Sequence, residues 1–337
     1  MSGGVDSSVA AALLAADGHD VVGVTMKLWG GDSDTGCCSV SDVDDARRVA
    51  QQIGIDHVVF NFGDDFDRHV VQPYVSDHVE GRTPNPCIEC NRHLKFDRLL
   101  RRAEVLGFDA VATGHHARIV ADSVHARRRL CRGADRAKDQ SYVVHVLDQA
   151  ALAGVLFPVG HLTKTAVRAH AAALGLRTAA KPDSQDVCFI TKKGRAHFLG
   201  ARIPLHAGTV VHRDGREVAT VDAVELVTVG QRKGLGLPGG GDPYYAVDVD
   251  RTRGVVTIGP ADELLDDEVA LRSTTWTDRP VAGHVLVQTS AHGVPRAGVI
   301  DGDVVRWDRP ERRVAAGQSV VLYALDDDTV LGGGVAR

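Results

Sequence analysis

Two kinds of residue cluster in this chain could do chemistry: a glycine-serine loop at its start, and cysteines set in polar, proline-marked loops. In Met1-Ser2-Gly3-Gly4-Val5-Asp6-Ser7-Ser8, adjacent glycines permit a tight positive-φ turn whose N–H groups converge on an anion. Ser7 and Ser8 open an apolar helix running through Leu14, whose N-terminus adds to that attraction. The loop lacks a G-K-[ST] ending, so it predicts no lysine reaching β- and γ-phosphates. The cysteines lie in Thr83-Pro-Asn-Pro-Cys87-Ile-Glu-Cys90-Asn91 and Lys181-Pro-Asp-Ser-Gln-Asp-Val-Cys188-Phe189. Cys90 is expected just before a helix starting at Asn91, where the macrodipole, with Arg92 and Lys95 nearby, favours a nucleophilic thiolate. Cys87, Cys90 and Cys188 leave three readings open: half of a zinc site, which lacks a second C-x-x-C; a [4Fe–4S] cluster on three thiolates; or thiols that cycle through persulfide and disulfide. Cys37 and Cys38 read as structural, and Cys131 is assigned no role.

The whole chain bounds these possibilities. Its 337 residues, 44% hydrophobic and 25% charged, suffice for two or three domains with real cores. Six cysteines are too few for a disulfide scaffold and suit thiol or metal chemistry in a reducing compartment. No apolar run is long enough to span a bilayer and no secretory leader is apparent, so the expectation is a cytoplasmic protein with no membrane partner. A net charge of −5 argues against nucleic acid unless a local basic patch supplies the contact. Arg127, Arg128, Arg129, Arg132, Arg136 and Lys138 form such a patch.

The elements that position these groups alternate. After the first helix, Val21 to Met26 reads as a buried strand, followed by a helix capped by Ser41 and ended by Gly54, and then a strand from His57 to Phe60. A helix carrying Phe96, Leu99, Leu100, Ala103 and Leu106 precedes a strand at Asp109 to Thr113, and Thr163 caps a helix from Lys164 to Leu174. This pattern predicts an α/β, doubly wound parallel sheet with ligands beyond the carboxyl ends of its strands, near Met26, Gly114 and His115. A phosphate loop of this kind normally follows a strand, and none precedes Met1, so the expectation is a native start upstream or a sheet lacking one strand. Residues 209–218 read as a hairpin turning on two residues, Asp214-Gly215. Short strands follow at Val285 to Thr289, Val304 to Trp307 and Val320 to Ala324. The expected units are 1–195, the catalytic α/β domain; 196–260, a β-rich connector; and 261–337, an all-β barrel.

The loop resembles the PP-loop of ATP pyrophosphatases. With S-G-G-V-D-S-S, T-P-N-P-x-x-x-C-N-x-x-x-K-F, A-T-G-H-x-A-R, D-x-x-K-D-Q-S-Y, K-P-D-S-Q-D-x-C-F and G-Q-R-K-G-L-G in one order, the chain is similar to bacterial tRNA-specific 2-thiouridylases from residue 2 to Gly334. The resemblance is weakest over 285–315. It implies ATP and Mg²⁺, adenylation of the C2 oxygen of a tRNA wobble uridine, and displacement of AMP by sulfur. It makes Cys90 the nucleophile and Cys188 the persulfide carrier, with a disulfide between them forming as sulfur is delivered. By motif, ATP contacts fall to Ser2, Gly3, Gly4, Asp6, Ser7, Ser8, Met26 and Gly114. Base and tRNA contacts fall to Asn85, Pro86, Cys87, His115, Lys138, Asp139, Gln140 and Gln318. The sulfur donor implied is a cysteine desulfurase or a sulfur-relay protein. Cys87 stands where many relatives have an acid, which adds a resolving thiol or completes a cluster site, and an expected Arg-Tyr pair near Val285 is replaced by Thr289-Ser290-Ala291-His292. A PP-loop enzyme adenylating a non-tRNA acceptor would share the first loop without needing Cys90 and Cys188; a non-catalytic RNA-binding protein would leave the loop idle.

Overall fold

The computed structural model describes residues 1–28, 40–122, 127–183, 187–190, 193–238 and 242–337. Cys37, Cys38, Ser184, Gln185, Asp186 and Gly239–Gly241 lie outside these residues.

Helix α1, Val5–Ala16, is mostly alanine, valine and leucine, residues that form helix readily and bury without polar cost. Val5, Val9 and Ala10 share an apolar cluster with Val49, Val159, Val167 and Ala171. The loop's helix is therefore clamped between α2, Val40–Ile53, and the Lys164–Ala173 helix. α2 begins at Val40, so Ser41 sits in its first turn rather than ahead of it. Thr163 does cap the later helix, its Oγ1 accepting from Ala166 N at 3.2 Å.

Strand β1, Val22–Lys27, pairs in parallel with β2, Asp56–Asn61, Val24 opposite Val58. Next come β3, Val111–Ala112, an antiparallel pair of β4, Ala117–Asp122, and β5, Arg127–Arg132, and then β6, Val155–Leu156, which pairs in parallel with β3. The expected wound sheet is present as two parallel pairs, with no ladder joining them among the described residues. Along β1 lies Met1: its ammonium donates to Val24 O, and its carbonyl accepts from Thr25 Oγ1 at 2.6 Å. The place where the sequence expects a strand beneath the loop thus holds the Met1 backbone.

Residues 86–105 form one helix, beginning earlier than the sequence suggests. Asn85 is its N-cap, Oδ1 accepting from Cys87 N at 3.1 Å, and Pro86 is its first residue. Both are favoured there because an Asn acceptor satisfies an orphan N–H and proline lacks one. Over Cys90–Arg98 the helix widens to π geometry, and Leu99 N bonds back to Leu94 O. Cys90 therefore lies in the second turn, not ahead of the helix, and Cys87 holds the first-turn position. Such π segments are frequent at functional sites.

The middle unit is a four-stranded sheet in the order β8-β7-β10-β9, built from β7, Gly208–His212, β8, Glu217–Val221, β9, Tyr245–Asp250, and β10, Val255–Gly259. The β7–β8 turn has three residues rather than two: His212 N bonds to Arg216 O at 2.9 Å, and Gly215 sits at φ +84. Glycine in that position closes a bulged hairpin without steric strain.

The last unit is a closed barrel ordered β11-β14-β13-β12-β15-β16. Its strands are β11, Leu265–Trp276, β12, Gly283–Gln288, β13, Arg296–Asp301, β14, Val304–Arg312, β15, Ser319–Tyr323, and β16, Val330–Ala336. Closure leaves no sheet edge unpaired. The barrel does not hang from a linker: its Val321, Tyr323 and Val330 share one apolar cluster with Ile88, Phe96, Ala117, Leu130 and Tyr142 of the first unit. No helix among the described residues is long and apolar enough to cross a membrane.

Candidate active site

The loop begins with Gly3 at φ +70, where a Cβ would stand 2.5 Å from Asp42 O. Only glycine fits both the backbone angle and the neighbour. Gly4 is the N-cap of α1 and has no side chain to cap it, so the first-turn N–H groups are the donors that a helix N-terminus offers an anion. Ser2 N donates to Ser7 Oγ at 3.1 Å, and the Ser7 and Ser8 hydroxyls donate to Gly4 O at 3.2 and 2.8 Å. Ser8 is fully buried, and its hydroxyl braces the turn. Gly114 closes the loop from behind, since a Cβ there would lie 2.6 Å from Ser7 N and 2.7 Å from Asp6 C.

Asp6 anchors an ion cluster that sequence reasoning missed. Lys164 Nζ donates to both Asp6 oxygens at 2.8 and 2.7 Å, and His116 Nε2 lies 3.1 Å from Oδ1. Burial pushes the Asp6 carboxyl up, but hydrogen bonds from His116 and Lys164 outweigh it and hold the group below its ordinary range. Lys164 also pairs with Asp183 at 3.0 Å, as do Lys138 at 2.9 Å and Arg168 at 2.8 Å. Partial burial opposes ionisation of Asp183, yet bonds from Lys138 and Lys164 bring its carboxyl down to about 2. Asp183 belongs to the Lys181-Pro-Asp motif, whose Lys181 is tied to Asp42 and Asp45 on α2 at 2.6 and 2.8 Å. The segment leading to Cys188 is thus fastened to the elements around the phosphate loop.

Both predicted thiols fall in one place. Cys90 is part of an apolar cluster with Phe66, Val70, Tyr74, Leu94, Phe189 and Phe198, and Cys188 and Met26 pack against the same cluster. Residues 98 positions apart in sequence thus belong to one apolar cluster, which also includes the predicted nucleotide contact Met26. Cys87 is exposed. Among the described residues no three His, Cys, Asp or Glu side chains are grouped as metal ligands.

A family model described as the tRNA methyl transferase HUP domain matches residues 1–192. Models described as the tRNA methyl transferase PRC-barrel domain and the aminomethyltransferase beta-barrel domain match 196–260 and 279–336. The tRNA-specific 2-thiouridylase MnmA of Chloroflexus aggregans is 45% identical to this chain, covering 100% of it and 97% of that protein. The proteins of the same name from Roseiflexus sp. and Herpetosiphon aurantiacus are 44% and 43% identical, covering 100% and 99% of this chain and 98% and 96% of theirs. The chain belongs to the tRNA-specific 2-thiouridylase family. Although the domain models carry a methyl transferase name, these relatives match over the whole length and carry the more specific one.

In this 2-thiouridylase the residues expected to meet tRNA divide into exposed and buried sets. Asn85 serves as the helix cap, Pro86 is buried, and Cys87 is exposed beside them. His115 is buried against Phe96 and Phe157, with Nδ1 2.7 Å from Thr113 Oγ1. Burial, helped by Lys95 and His116, lowers its pKa well below the ordinary value, so it is a neutral wall of the site. Asp139 is buried and accepts from Gly133 N, Ser141 N, Ser141 Oγ and Arg132 Nη1, so its carboxylate braces the turn between Lys138 and Gln140. Lys138 and Gln140 are exposed, although Lys138 is on Asp183 and Gln140 Oε1 accepts from His116 N at 2.9 Å.

The basic patch is likewise largely committed to the barrel. Arg127 pairs with Asp278, Arg136 with Asp327 and Asp328, and buried Arg132 bridges Asp139 and Asp327 while lying 3.6 Å over the Tyr323 ring. Exposed pairs of this kind are weak enough for a phosphate to displace; Arg132 is not available. Gln318, half-buried, sits in a barrel loop whose Ala316 O accepts from Thr83 N at 2.7 Å. Thr83 Oγ1 is also 3.1 Å from Thr228 Oγ1 of the middle unit. All three units therefore meet at the residue that leads into Asn85, Cys87 and Cys90. Neither Thr83 nor Lys164 has a local signal, since their partners are far away in sequence.

Proposed function

We propose that this chain makes 2-thiouridine in tRNA by adenylating the C2 oxygen of the wobble uridine with ATP and then delivering sulfur from a persulfide on Cys188, with Cys90 as nucleophile. The observation that carries the reading is the apolar cluster shared by Cys90, Cys188 and Met26, in a chain whose glycine loop is suited to phosphate. Ser2, Gly3, Gly4 and Ser7 hold the triphosphate by backbone and hydroxyl groups, with Gly114 packed against the loop. Asp6, ionised in the first turn of α1, is the loop carboxylate suited to Mg²⁺, which when bound neutralises charge on the phosphates. Adenylation is needed because a ring carbonyl oxygen is a poor leaving group, and it converts that oxygen into AMP.

Cys90 as thiolate attacks the inner sulfur of the Cys188 persulfide, forming the Cys90–Cys188 bond while the outer sulfur leaves with the electron pair as hydrosulfide. Hydrosulfide adds at C2, the C2–O bond breaks, AMP departs with that pair, and a proton is lost to give the thiocarbonyl. Two electrons from an external thiol reductant restore both thiols. A cysteine desulfurase or relay protein in the cytoplasm reloads Cys188.

In the Cys90→Ala variant, tRNA-dependent pyrophosphate release should persist within about threefold while 2-thiouridine falls below about 1% of wild type, because only the sulfur step uses that thiol. Retained thiolation would remove Cys90 from the role. Pyrophosphate release independent of tRNA in the wild type would favour another acceptor.

A further inference from the structure

Among the described residues, Lys164 is the one cation that touches both the phosphate loop and the segment leading to the sulfur-carrying cysteine. An ammonium has three N–H donors, and Nζ makes three short contacts: 2.8 and 2.7 Å to Asp6 and 3.0 Å to Asp183. Its side chain is 12% exposed, so these pairs are poorly screened. The backbone around it is fixed as well, Lys164 N donating to Asp135 Oδ2 at 2.9 Å. One turn later on the same face of the helix, Arg168 holds Asp183 and the carbonyls of Ala179 and Lys181 at 2.7 and 3.0 Å. The helix thus has one residue on the ATP loop and the next turn on the chain entering the Cys188 segment.

We propose that Lys164 is a positioning residue that couples occupancy of the ATP loop to the placement of Cys188, through its bridge from Asp6 to Asp183. With all three donors engaged, meeting a phosphate oxygen costs Lys164 one of these bonds, and a cation taking Asp6 frees two donors. Occupancy of the loop therefore redistributes the ammonium between Asp6 and Asp183, and Asp183 lies five positions before Cys188. The coupling rests on the proposed role of Cys188, but its test does not require turnover.

The rate of Cys188 alkylation by iodoacetamide is measured on the reduced protein by peptide mass spectrometry, with and without ATP and Mg²⁺. ATP concentrations are set to saturate each variant by equilibrium binding. In the wild type nucleotide should change the rate by at least about fivefold, the lower end of coupling between sites, and in Lys164→Met and Asp183→Asn the response should shrink below about twofold. Lys164→Arg, which keeps both ion pairs, should restore part of it. A purely structural role would alter the nucleotide-free rate and leave the response to ATP intact. An unchanged response in either variant, or none in the wild type, overturns the proposal. If Lys164→Met fails to fold, Asp183→Asn decides alone, since Lys164 remains on Asp6. Wild-type 2-thiouridine synthesis, assayed in parallel, reports separately on the proposed function: an intact ATP response without product would refute that function and leave the coupling standing.

Discussion

Gly114 decides how closely the chain can press against the back of the phosphate loop. A methyl group at that position would sit 2.6 Å from Ser7 N and 2.7 Å from Asp6 C, both backbone atoms that cannot swing away. Gly114→Ala should therefore weaken ATP binding by about tenfold or more, a cost of about 1.4 kcal/mol from the displaced loop, and leave the rest of the fold standing. Equilibrium ATP binding together with thermal unfolding checks this; unchanged affinity would show that the loop is not shaped from behind. Gly3, Gly4, Cys90 and Cys188 were legible because glycine and cysteine declare unusual backbone or chemistry by type alone. Lys164 was not, because an ordinary lysine acquires its role only from Asp6, 158 positions away. Asp139 and His115, named from their motifs, face inward in the packing of Arg132 and of Phe96 and Phe157.

The helix over 86–105 carries the next level of organisation. Its N-cap, Asn85, satisfies the Cys87 N–H and fixes where the helix starts, and the π segment that follows turns Cys90 inward while Cys87 stays outside. Removing a cap of this kind costs about 1 kcal/mol. Asn85→Ala should lower single-turnover thiolation by about fivefold with tRNA-dependent pyrophosphate release nearly unchanged, and Asn85→Asp, which caps equally well, should recover most of it. Equal loss in both variants would mean the side chain acts on the base and not through the cap. The periodicity of Phe96, Leu99, Leu100 and Ala103 announced this helix. Its start was misplaced because Pro86, a good first helical residue, reads in isolation as a loop signal, and π geometry leaves no compositional trace. The long strand β11 escaped notice because its charged residues break the two-residue alternation, whereas β12 and β15 are plain apolar runs.

At the scale of the molecule, the barrel and the catalytic unit share a core, and a titratable ring lies in their contact. Gly333 of β16 packs so closely that a Cβ would be 2.7 Å from the His145 ring. Burial lowers the His145 pKa from 6.5 to about 4, against the opposing bond to Tyr142 O. The unfolded chain binds this proton near 6.5 and the folded one near 4, so stability is full above that window and falls as pH drops through it. Asp183, held at about 2, adds its loss only as pH falls below the ordinary carboxylate range, which separates the two effects. The thermal midpoint should decline from pH 6.5 toward pH 4, and His145→Gln should flatten that decline; identical slopes would place the acid sensitivity elsewhere. Three units were foreseeable from the change of pattern along the chain. Their docking was not, because the cations of 127–138 look free for phosphate until the barrel brings Asp278, Asp327 and Asp328 to them.

The most direct test of the account is the state of Cys90 and Cys188 after one turnover. Persulfide-loaded protein is mixed with ATP, Mg²⁺ and unmodified tRNA without added reductant, quenched with alkylating agent at intervals, and split between nucleoside and peptide mass spectrometry. The Cys90–Cys188 disulfide peptide should appear in step with 2-thiouridine, one for one, and neither should form without ATP. 2-Thiouridine accumulating while both cysteines remain alkylated would contradict the account.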